Sequence, residues 1–468
     1  MSSKLSLGST VILRCEPQYY ETYAAFNYVK TETEFLNEDE FKILEYLYGR
    51  HADAEEVARE TKTSYGECAK FLKRMIQLGY VRTDRVTRET LPPKRTKVSR
   101  ELFEKFSIPF LSAPASVDVF ITNRCNLKCV HCFSNRKERN VQDLPLNELM
   151  FIFDQMEKMG VLEVRINGGE PLMHPAIDKI LLALGTRRFR KVIITNGTLL
   201  NDEIAKLLKK SNVIPTISLD DSDADGHDLF RGTNGAFKKT LGGLKILQKN
   251  KVQYGINCCL HAKNLHKYES IIKLSANNGA CRIAFLDLKM VGRMKDHKEW
   301  IPSYIEYEEA LASLMMVKSK YREIDVSLDV FLSCHPLRES ILEARKGYVS
   351  CRAGKTELSI CSDGTVYPCN LVIGDPEWNM GNVRAETLFD VWFSRNWAFF
   401  RGAVKTNDLK ECRDCRDLRR CRNFYCRLLP YVTTGDAFGP SPKCSQHLDA
   451  HSLASSPHAW RRASRTGH

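Results

Sequence analysis

Residues 117–132 are VDVFITNRCNLKCVHC, a run of β-branched and aromatic residues that leads directly into three closely spaced cysteines. The first half, Val117–Thr122, has the composition of a buried strand. The second half places Cys125, Cys129 and Cys132 on a loop after that strand, where three thiolates can bind metal together. A zinc site or three buried free thiols would also explain these cysteines taken alone.

The alternation of strand and helix continues beyond this run. Five further strands are predicted at Glu163–Asn167, Lys191–Thr195, Pro215–Leu219, Gln253–Cys258 and Arg282–Leu288. Helical stretches such as Leu146–Lys158 and Gly235–Asn250 lie between them. Six strands joined through helices predict an α/β fold with a parallel sheet, which is a partial (β/α)6 TIM-like barrel if it curls. The chemistry is then expected at the carboxyl ends of the strands.

The cysteine loop has the spacing C-x3-C-x2-C, and in this it resembles the radical S-adenosylmethionine (SAM) enzymes. In that family the three thiolates hold three irons of a [4Fe–4S] cluster, and the open fourth iron binds the amino and carboxylate groups of SAM. Electron transfer cleaves SAM and yields a 5′-deoxyadenosyl radical. The resemblance covers about residues 115–295.

The end of the second strand extends this resemblance. The residues that follow it are Gly168-Gly169-Glu170-Pro171, which is similar to the Gly-Gly-Glu-Pro motif of the family. Glycines let backbone approach a ligand closely, and the carboxylate of Glu170 suits the ammonium group of SAM. By the same resemblance Gly168, Gly169 and Glu170 are expected to bind SAM.

Three later residues complete the expected SAM site. The resemblance implies that Ser218, at the end of the fourth strand, contacts the ribose, and Asn196, after the third strand, is a weaker candidate. Arg231 offers a guanidinium that suits bidentate pairing with the SAM carboxylate. A surface salt bridge is the alternative role for Arg231. No catalytic acid or base is identified in the sequence.

The region after residue 346 is rich in cysteine. Leu358–Cys361 and Val366–Cys369 flank Asp363-Gly364 and predict a β-hairpin. The cysteine spacing resembles the SPASM domain, which holds two auxiliary [4Fe–4S] clusters, although the gap before the last cysteine of the four-cysteine run is four residues instead of three. Two zinc ribbons are the alternative. The resemblance implies two ligand sets: Cys351, Cys361, Cys369 and Cys426 for the nearer cluster, with Cys361 the least certain, and Cys412, Cys415, Cys421 and Cys444 for the farther one.

Eleven of the 17 cysteines are thereby assigned to three clusters. Cysteine is often buried as a small apolar residue, so the others are predicted to be structural. These six are Cys15, Cys68, Cys258, Cys259, Cys281 and Cys334.

The first 90 residues predict a separate small domain. Strands are predicted at Val11–Cys15 and Ala25–Thr31, and three capping-box patterns mark helix starts at Asn37, Asp53 and Ser64. This order of elements is typical of a winged helix. It resembles the PqqD-like recognition element of enzymes that modify ribosomally made peptides, in which the leader of a precursor peptide adds as a strand to the small sheet. DNA binding is the alternative, since basic residues lie on the third helix: Lys70, Lys73 and Arg74.

Composition sets the remaining expectations. Hydrophobic residues are 43% and charged residues 27% of the 468, with no long apolar segment and no signal-peptide pattern, so a cytoplasmic protein without membrane spans is expected. In a reducing cytoplasm cysteines are metal ligands or catalytic groups more often than disulfides. The net charge of +13 has two possible roles: binding of nucleic acid, or balancing the negative charge of iron–sulfur clusters. Compensation is favoured because basic residues interleave with the cysteines of 401–427, and nucleic acid is not expected as a partner.

Six segments are therefore expected: the recognition element at 1–90, a linker at 91–114, the radical SAM core at 115–300, a helical bridge at 301–345, the SPASM domain at 346–450 and a disordered tail at 451–468. Together they predict a radical SAM peptide maturase with a precursor peptide as substrate and a reductant such as ferredoxin or flavodoxin. A Cys thioether crosslink is the favoured product. A carbon–carbon crosslink, decarboxylation, excision, formylglycine formation and a DNA-binding iron–sulfur regulator are the alternatives.

Overall fold

The computed structural model describes the greater part of the chain. The described residues are 4–8, 11–16, 22–27, 30, 32–83, 100–133, 142–329, 346–349, 351–416, 418, 426–442 and 444. Cys334, Cys421, the first part of the expected linker and the expected tail at 451–468 therefore lie outside the described residues. Within the ranges given, none of the helices has both the length and the apolar character that crossing a membrane requires.

The amino-terminal residues form a small sheet and three helices around one apolar cluster. The antiparallel sheet has the order β2-β3-β4, and a separate short pair joins β1 to β5. The strands are β1 (Ser6–Leu7), β2 (Val11–Glu16), β3 (Thr22–Asn27), β4 (Glu32–Leu36) and β5 (Val81–Arg82). The helices are α1 (Glu38–Tyr46), α2 (Ala54–Thr61) and α3 (Tyr65–Gln77).

The three predicted helix starts are confirmed. Asn37, Asp53 and Ser64 each accept a hydrogen bond from the backbone N–H three residues further on. The single strand predicted at Ala25–Thr31 is wrong, because β3 already ends at Asn27 and the next strand, β4, begins at Glu32. Asn27 of β3 pairs with Glu32 of β4. Strand-forming residues on both sides conceal this reversal, and no Gly or Pro marks it.

The small sheet is joined to the rest of the chain through β2. The buried carboxylate of Glu16 accepts hydrogen bonds from the backbone N–H of Ser112 at 2.9 Å and from its hydroxyl at 2.7 Å. Arg14 donates to the carbonyl of Ala113. On the far side of the sheet, β4 pairs with β3 alone among the strands that the structure describes. Because β2 likewise pairs with β3 alone among these strands, β2 and β4 are the two outer strands of the small sheet.

A ten-stranded sheet forms the centre of the molecule, and its first seven strands in sequence lie side by side in chain order and run parallel. They are β6 (Ser116–Phe120), β7 (Glu163–Asn167), β8 (Arg190–Thr195), β9 (Val213–Ser218), β10 (Gly255–Leu260), β11 (Arg282–Asp287) and β12 (Asp325–Asp329). The helices are α4 (Arg100–Phe103) before β6, then α5 (Leu146–Met159), α6 (Ile177–Gly185), α7 (Asp202–Lys210), α8 (Ala224–Arg231), α9 (Ala236–Lys249), α10 (Tyr268–Asn277) and α11 (Tyr304–Lys318). All six predicted core strands are confirmed.

Both ends of this sheet extend beyond the predicted strands. The stretch 301–345 was expected to be a helical bridge. Its first part forms the helix α11, but the strand β12 follows and joins the sheet. At the other end, β13 (Glu357–Ile360) pairs in parallel with β6, and β14 (Thr365–Tyr367) and β15 (Gly381–Asn382) follow it antiparallel. The predicted hairpin is thus confirmed, and it continues the core sheet. The helices α12 (Leu388–Phe393) and α13 (Leu428–Thr434) complete the carboxyl-terminal region.

The described residues directly before β6, 100–115, pack against the rest of the protein. The prediction that 91–114 is a linker is therefore wrong for residues 100–114. Phe110 is fully buried, and the guanidinium carbon of Arg401 lies 3.5 Å from the centroid of its ring. Arg401 is itself fully buried and donates hydrogen bonds of 2.7 Å to the carbonyls of Gly354 and Trp392. The aromatic residues of 100–115 are therefore part of the same core as the carboxyl-terminal region.

Arg401→Ala is expected to destabilise the protein strongly. The substitution leaves two buried carbonyls without donors and a cavity between aromatic rings, which together cost about 3 to 5 kcal/mol. Thermal unfolding of the reconstituted protein, followed by circular dichroism, should show a midpoint several degrees lower. The control is Arg395→Ala, because Arg395 is exposed. Equal midpoints for both variants would show that Arg401 does not hold these segments together.

Candidate functional site

The three cysteines of the loop after β6 lie against one small apolar cluster. Cys129 is buried within it beside Leu127 and Ala236, while Cys125 and Cys132 are half-buried and pack against it. Burial raises the pKa of the Cys129 thiol; Arg231 opposes this, and the neighbouring Cys132 and Cys125 raise it further. The three cysteines therefore pack against one apolar cluster, with Cys129 the most buried, and this grouping fits a cluster held by thiolates that each bind a different iron.

Glycines on three other segments bring backbone against this loop. A Cβ atom placed on Gly169 would lie 2.0 Å from the carbonyl oxygen of Arg124, and one on Gly232 would lie 2.3 Å from that of Lys128. One on Gly292 would lie 2.3 Å from the carbonyl oxygen of Cys132. Contacts below 3 Å are not found for real Cβ atoms. Only glycine fits at these positions while the loop keeps its path.

Backbone hydrogen bonds fix the same loop. The N–H of Glu170 donates to the Arg124 carbonyl at 2.6 Å, and that of Val130 donates to the Phe230 carbonyl at 3.0 Å. Arg293 donates from its backbone to the Cys132 carbonyl at 3.1 Å and from Nε to the Cys129 carbonyl at 2.9 Å. The segments after β7, α8 and β11 therefore all hold the cysteine loop.

Glu170 lies buried where β7 and β8 end. Its carboxylate accepts hydrogen bonds from the Thr195 hydroxyl at 2.6 Å, the Asn196 N–H at 2.8 Å and the Leu172 N–H at 3.1 Å. Burial raises the pKa of Glu170 above its ordinary value, and these donors oppose that shift. The carboxylate thus joins two strand ends beside the cysteine loop. Its expected contact with the SAM ammonium stays a prediction.

Asn196 and Ser218 lie at the same edge of the sheet. The side-chain amide of Asn196 donates to the Oδ1 of Asn126, in the cysteine loop, at 2.9 Å. Ser218 is half-buried at the end of β9, opposite Asn257 of β10. The structure therefore joins Asn196 directly to the loop and places Ser218 one strand further along. Gly168 lies under the start of the loop, since a Cβ there would be 2.8 Å from the Thr122 carbonyl oxygen.

Arg231 is buried and makes two side-chain contacts. Its Nε donates to Oδ2 of Asp220 at 2.5 Å, and its Nη1 donates to Sγ of Cys129 at 3.7 Å. Asp220 is fully buried, and the Arg231 guanidinium holds the pKa of its carboxyl below the ordinary value against the opposing effect of burial. A surface salt bridge, the alternative for Arg231, is excluded by this burial. Its expected role toward SAM stays a prediction.

Sequence reasoning missed Asp220, Asn126, Arg293 and the glycines Gly232 and Gly292. Asp220 had a signal, because it is the second residue after β9 and therefore lies at the carboxyl edge of the sheet. Arg293 and Gly292 come soon after β11 and had the same signal. Each of these residues reaches the cysteine loop only because its segment folds back against the loop in three dimensions. The spacing of residues along the chain does not predict that contact.

The carboxyl-terminal cysteines fall into two environments. Cys361 and Cys426 are buried in the large central core, and Cys351 and Cys369 pack against it. Cys412 packs instead against a small cluster of Val349, Val404 and Leu409. Cys415 and Cys444 are half-buried, and Cys421 lies outside the described residues. This division follows the two ligand sets expected from the sequence, whose assignment stays a prediction.

Among the residues that the structure describes, no three His, Cys, Asp or Glu side chains are placed to hold one metal ion. Of the cysteines predicted to be structural, Cys68 and Cys258 are buried, whereas Cys259 is half-buried. The prediction of burial is wrong for Cys281, which is exposed, with its Sγ 3.1 Å from the Tyr254 carbonyl oxygen.

Two segments of the chain match known protein families. Residues 119–274 match the radical SAM superfamily, and residues 351–416 match the SPASM iron–sulfur cluster-binding domain. The chain is 28% identical over 354 residues to an AdoMet-dependent heme synthase of Methanosarcina barkeri, covering 72% of this chain and 98% of that protein. It is 29% identical over 354 residues to the mycofactocin maturase MftC of Mycobacterium ulcerans, and the match covers 75% of this chain and 93% of that protein.

The fold is shared with a solved structure over almost the whole chain. The structure of Streptococcus suis SuiB bound to its precursor peptide SuiA superposes with a TM-score of 0.69 and 19% sequence identity, covering 94% of this chain and all of that one. The chain thus combines an α/β radical SAM core, built on a parallel-strand sheet, with a carboxyl-terminal SPASM domain.

Proposed function

We propose that this chain, with its radical SAM core and SPASM domain, is an enzyme that modifies a ribosomally made precursor peptide by radical chemistry. The observation that carries the proposal is the cysteine loop at the carboxyl edge of the parallel sheet, where Cys129 is buried and Cys125 and Cys132 pack half-buried against the same apolar cluster. Glu170 and Ser218 lie at the same edge as the cysteine loop. In folds of this class the active site is found at the carboxyl ends of the strands. The SPASM domain continues the same sheet through β13.

In this proposal Cys125, Cys129 and Cys132 hold a [4Fe–4S] cluster, which supplies the electron that cleaves SAM to methionine and a 5′-deoxyadenosyl radical. The residues of the chain position the reactants and exclude water. Gly168 and Gly169 let SAM approach the backbone, Glu170 receives its ammonium group, and Ser218 holds its ribose. The apolar cluster behind the loop keeps water from the thiolates, which protects a reactive radical from side reactions.

A peptide is supported as substrate by the amino-terminal sheet. Among the described strands β4 pairs with β3 alone, and Phe35 on β4 exposes 74% of its surface. An extended peptide that adds to the edge of an outer strand gains backbone hydrogen bonds and can place a side chain against an exposed aromatic ring. The leader of the precursor is proposed to bind here, while its core segment reaches the barrel. The bound peptide in the SuiB structure and the maturase relative support this class of substrate.

The favoured product is a thioether between a cysteine and another residue of the peptide. In this reaction the peptide would lose one hydrogen atom from carbon to the SAM-derived radical and one proton from the cysteine thiol as the sulfur–carbon bond forms, and an auxiliary cluster, when bound, would supply the acceptor for the remaining electron. Cys351, Cys361, Cys369 and Cys426 are proposed to hold the nearer auxiliary cluster, and Cys412, Cys415, Cys421 and Cys444 the farther one. The peptide therefore loses two hydrogen atoms in all.

The test combines two measurements on the anaerobically reconstituted protein with reductant and SAM. Release of 5′-deoxyadenosine reports SAM cleavage, and mass spectrometry of a precursor peptide encoded beside the gene reports the loss of two hydrogens. Heme formation is the second candidate, because the heme synthase relative matches over 98% of its length. Formation of heme from an iron porphyrin, with no change in the peptide, would replace the first proposal by the second.

Phe35→Asp is expected to weaken leader binding by about tenfold or more, which is ~1.4 kcal/mol. The substitution places a charge where the peptide would bury an aromatic contact. Fluorescence anisotropy of a labelled leader peptide, titrated with the full-length protein, measures the change. Phe151→Asp is the matched control, because Phe151 is also exposed, at 55%, but lies on α5 away from the small sheet. A leader that binds both variants equally would remove β4 from the proposal.

A further inference from the structure

Arg231 links a carboxylate to a cysteine of the loop through one buried guanidinium. The same side chain donates from Nε to Asp220 and from Nη1 to the sulfur of Cys129. Asp220 cannot move freely, because its Oδ1 accepts the backbone N–H of Cys259 at 2.9 Å and its carbonyl accepts the Asn264 side-chain amide at 2.6 Å. The position of the cation is therefore fixed relative to the thiolate.

A hydrogen bond to a cluster thiolate affects the reduction of that cluster. Reduction adds one electron, so the reduced form is more negative than the oxidised form by one charge. A cation and an N–H donor near the sulfur stabilise the more negative form, and hydrogen bonds to sulfur are among the factors that set cluster potentials. Burial strengthens this effect, since the interaction is not screened by water.

We infer that Arg231, held by Asp220, sets the reduction potential of the cluster on Cys125, Cys129 and Cys132 through its hydrogen bond to the Cys129 sulfur. This inference rests on the proposed function only in that the loop holds a cluster. It gives Arg231 a positioning and tuning role that does not depend on contact with SAM. Asp220 orients the guanidinium and, as its counter-charge, limits how far the potential rises.

The test is a reductive titration with dithionite as the electron donor, monitored by electron paramagnetic resonance in the absence of SAM. The C125A/C129A/C132A variant supplies the background signal of the auxiliary clusters. Arg231→Gln is expected to lower the ratio of reduced to oxidised cluster at a fixed potential about tenfold, a shift of ~59 mV for one electron. Arg231→Lys keeps the charge beside Asp220 but loses the planar donor to sulfur, so a smaller shift in the same direction is expected.

Arg293→Gln is the matched control, because Arg293 donates to the carbonyl of Cys129 and not to its sulfur. Its shift is expected to be clearly smaller than that of Arg231→Gln. Equal shifts would show that charge at a distance sets the potential, and an unchanged potential in both Arg231 variants would show that the bond is without effect. Either result overturns the inference.

Removing Arg231 alone leaves the buried Asp220 uncompensated, which can prevent folding. The double variant D220N/R231Q removes both charges and is expected to fold and to show the lowered potential. Iron content is measured for each protein first. If the wild-type loop holds no cluster, the proposed function fails; if it holds one whose potential is the same in wild type and double variant, only the inference about Arg231 fails.

Discussion

Replacing Cys125, Cys129 and Cys132 together with alanine is expected to abolish the release of 5′-deoxyadenosine. Three clusters correspond to about twelve irons per chain in the wild-type protein and to about eight in the triple variant, since the auxiliary ligands lie after residue 346. The expected loss of activity is complete, because the electron that cleaves SAM has no other proposed source. Anaerobic reconstitution followed by iron analysis and chromatography of the nucleoside measures both effects.

The matched control replaces Cys258, which is fully buried and is not a proposed ligand. Cys258→Ala should keep the full iron content and SAM cleavage, since a buried cysteine contributes mainly as a small apolar side chain. Undiminished SAM cleavage in the triple variant would place the reducing cluster elsewhere. Stoichiometric zinc in place of iron in the wild-type protein would remove the cluster assignments altogether.

Gly169→Ala is expected to disable the enzyme without altering a metal ligand. The new methyl group would lie 2.0 Å from the carbonyl oxygen of Arg124, the residue immediately before Cys125. That oxygen belongs to backbone that is hydrogen-bonded to Glu170, so the cysteine loop itself has to move. Displacement of a reactive group by about 1 Å costs on the order of 100-fold in rate. SAM cleavage should fall by at least that factor, with partial loss of the iron bound by the loop.

Gly242→Ala provides the comparison. Gly242 lies in the interior of α9, and no atom lies within 4 Å of an added Cβ. Alanine there should leave SAM cleavage intact and stabilise the helix by roughly 0.5 to 1 kcal/mol. Cleavage rates that match in the two glycine variants would show that the loop tolerates displacement, and that the tight approach of Gly169 has no part in the chemistry.

The strands of the core were predictable because their signal is local. Val117–Thr122 and Arg282–Leu288 are runs of apolar and β-branched residues bounded by polar ones, and parallel strands at the centre of a fold need such runs on both faces. β12 was missed because Asp325–Asp329 is short and mostly polar, with Val326 and Leu328 as its two apolar residues. A strand at the edge of a sheet is less buried than a central one, so its amino-acid composition is a weaker indicator of strand structure.

The grouping of cysteines in the cysteine loop could also be predicted from local sequence. The residues that hold this loop in place could not. Cys125, Cys129 and Cys132 are adjacent in sequence, and their spacing alone indicates a shared site. Arg231 is 102 residues from Cys129, and only the packing of α8 against the loop brings them together. The position of Asp220 after β9 placed it at the carboxyl edge of the sheet, but its pairing with Arg231 could not be read from the sequence.

The pairing of β13 with β6 has a consequence for the synthesis of the chain. β6 is the first strand of the central sheet to leave the ribosome, yet one of its two neighbours lies in the carboxyl-terminal region and is made last. Until then that edge of β6, directly before the cysteine loop, exposes unpaired backbone groups to other nascent chains. A chain shortened behind the radical SAM core would keep this edge permanently. Such fragments should therefore aggregate, and the carboxyl-terminal region protects the core as well as extending it.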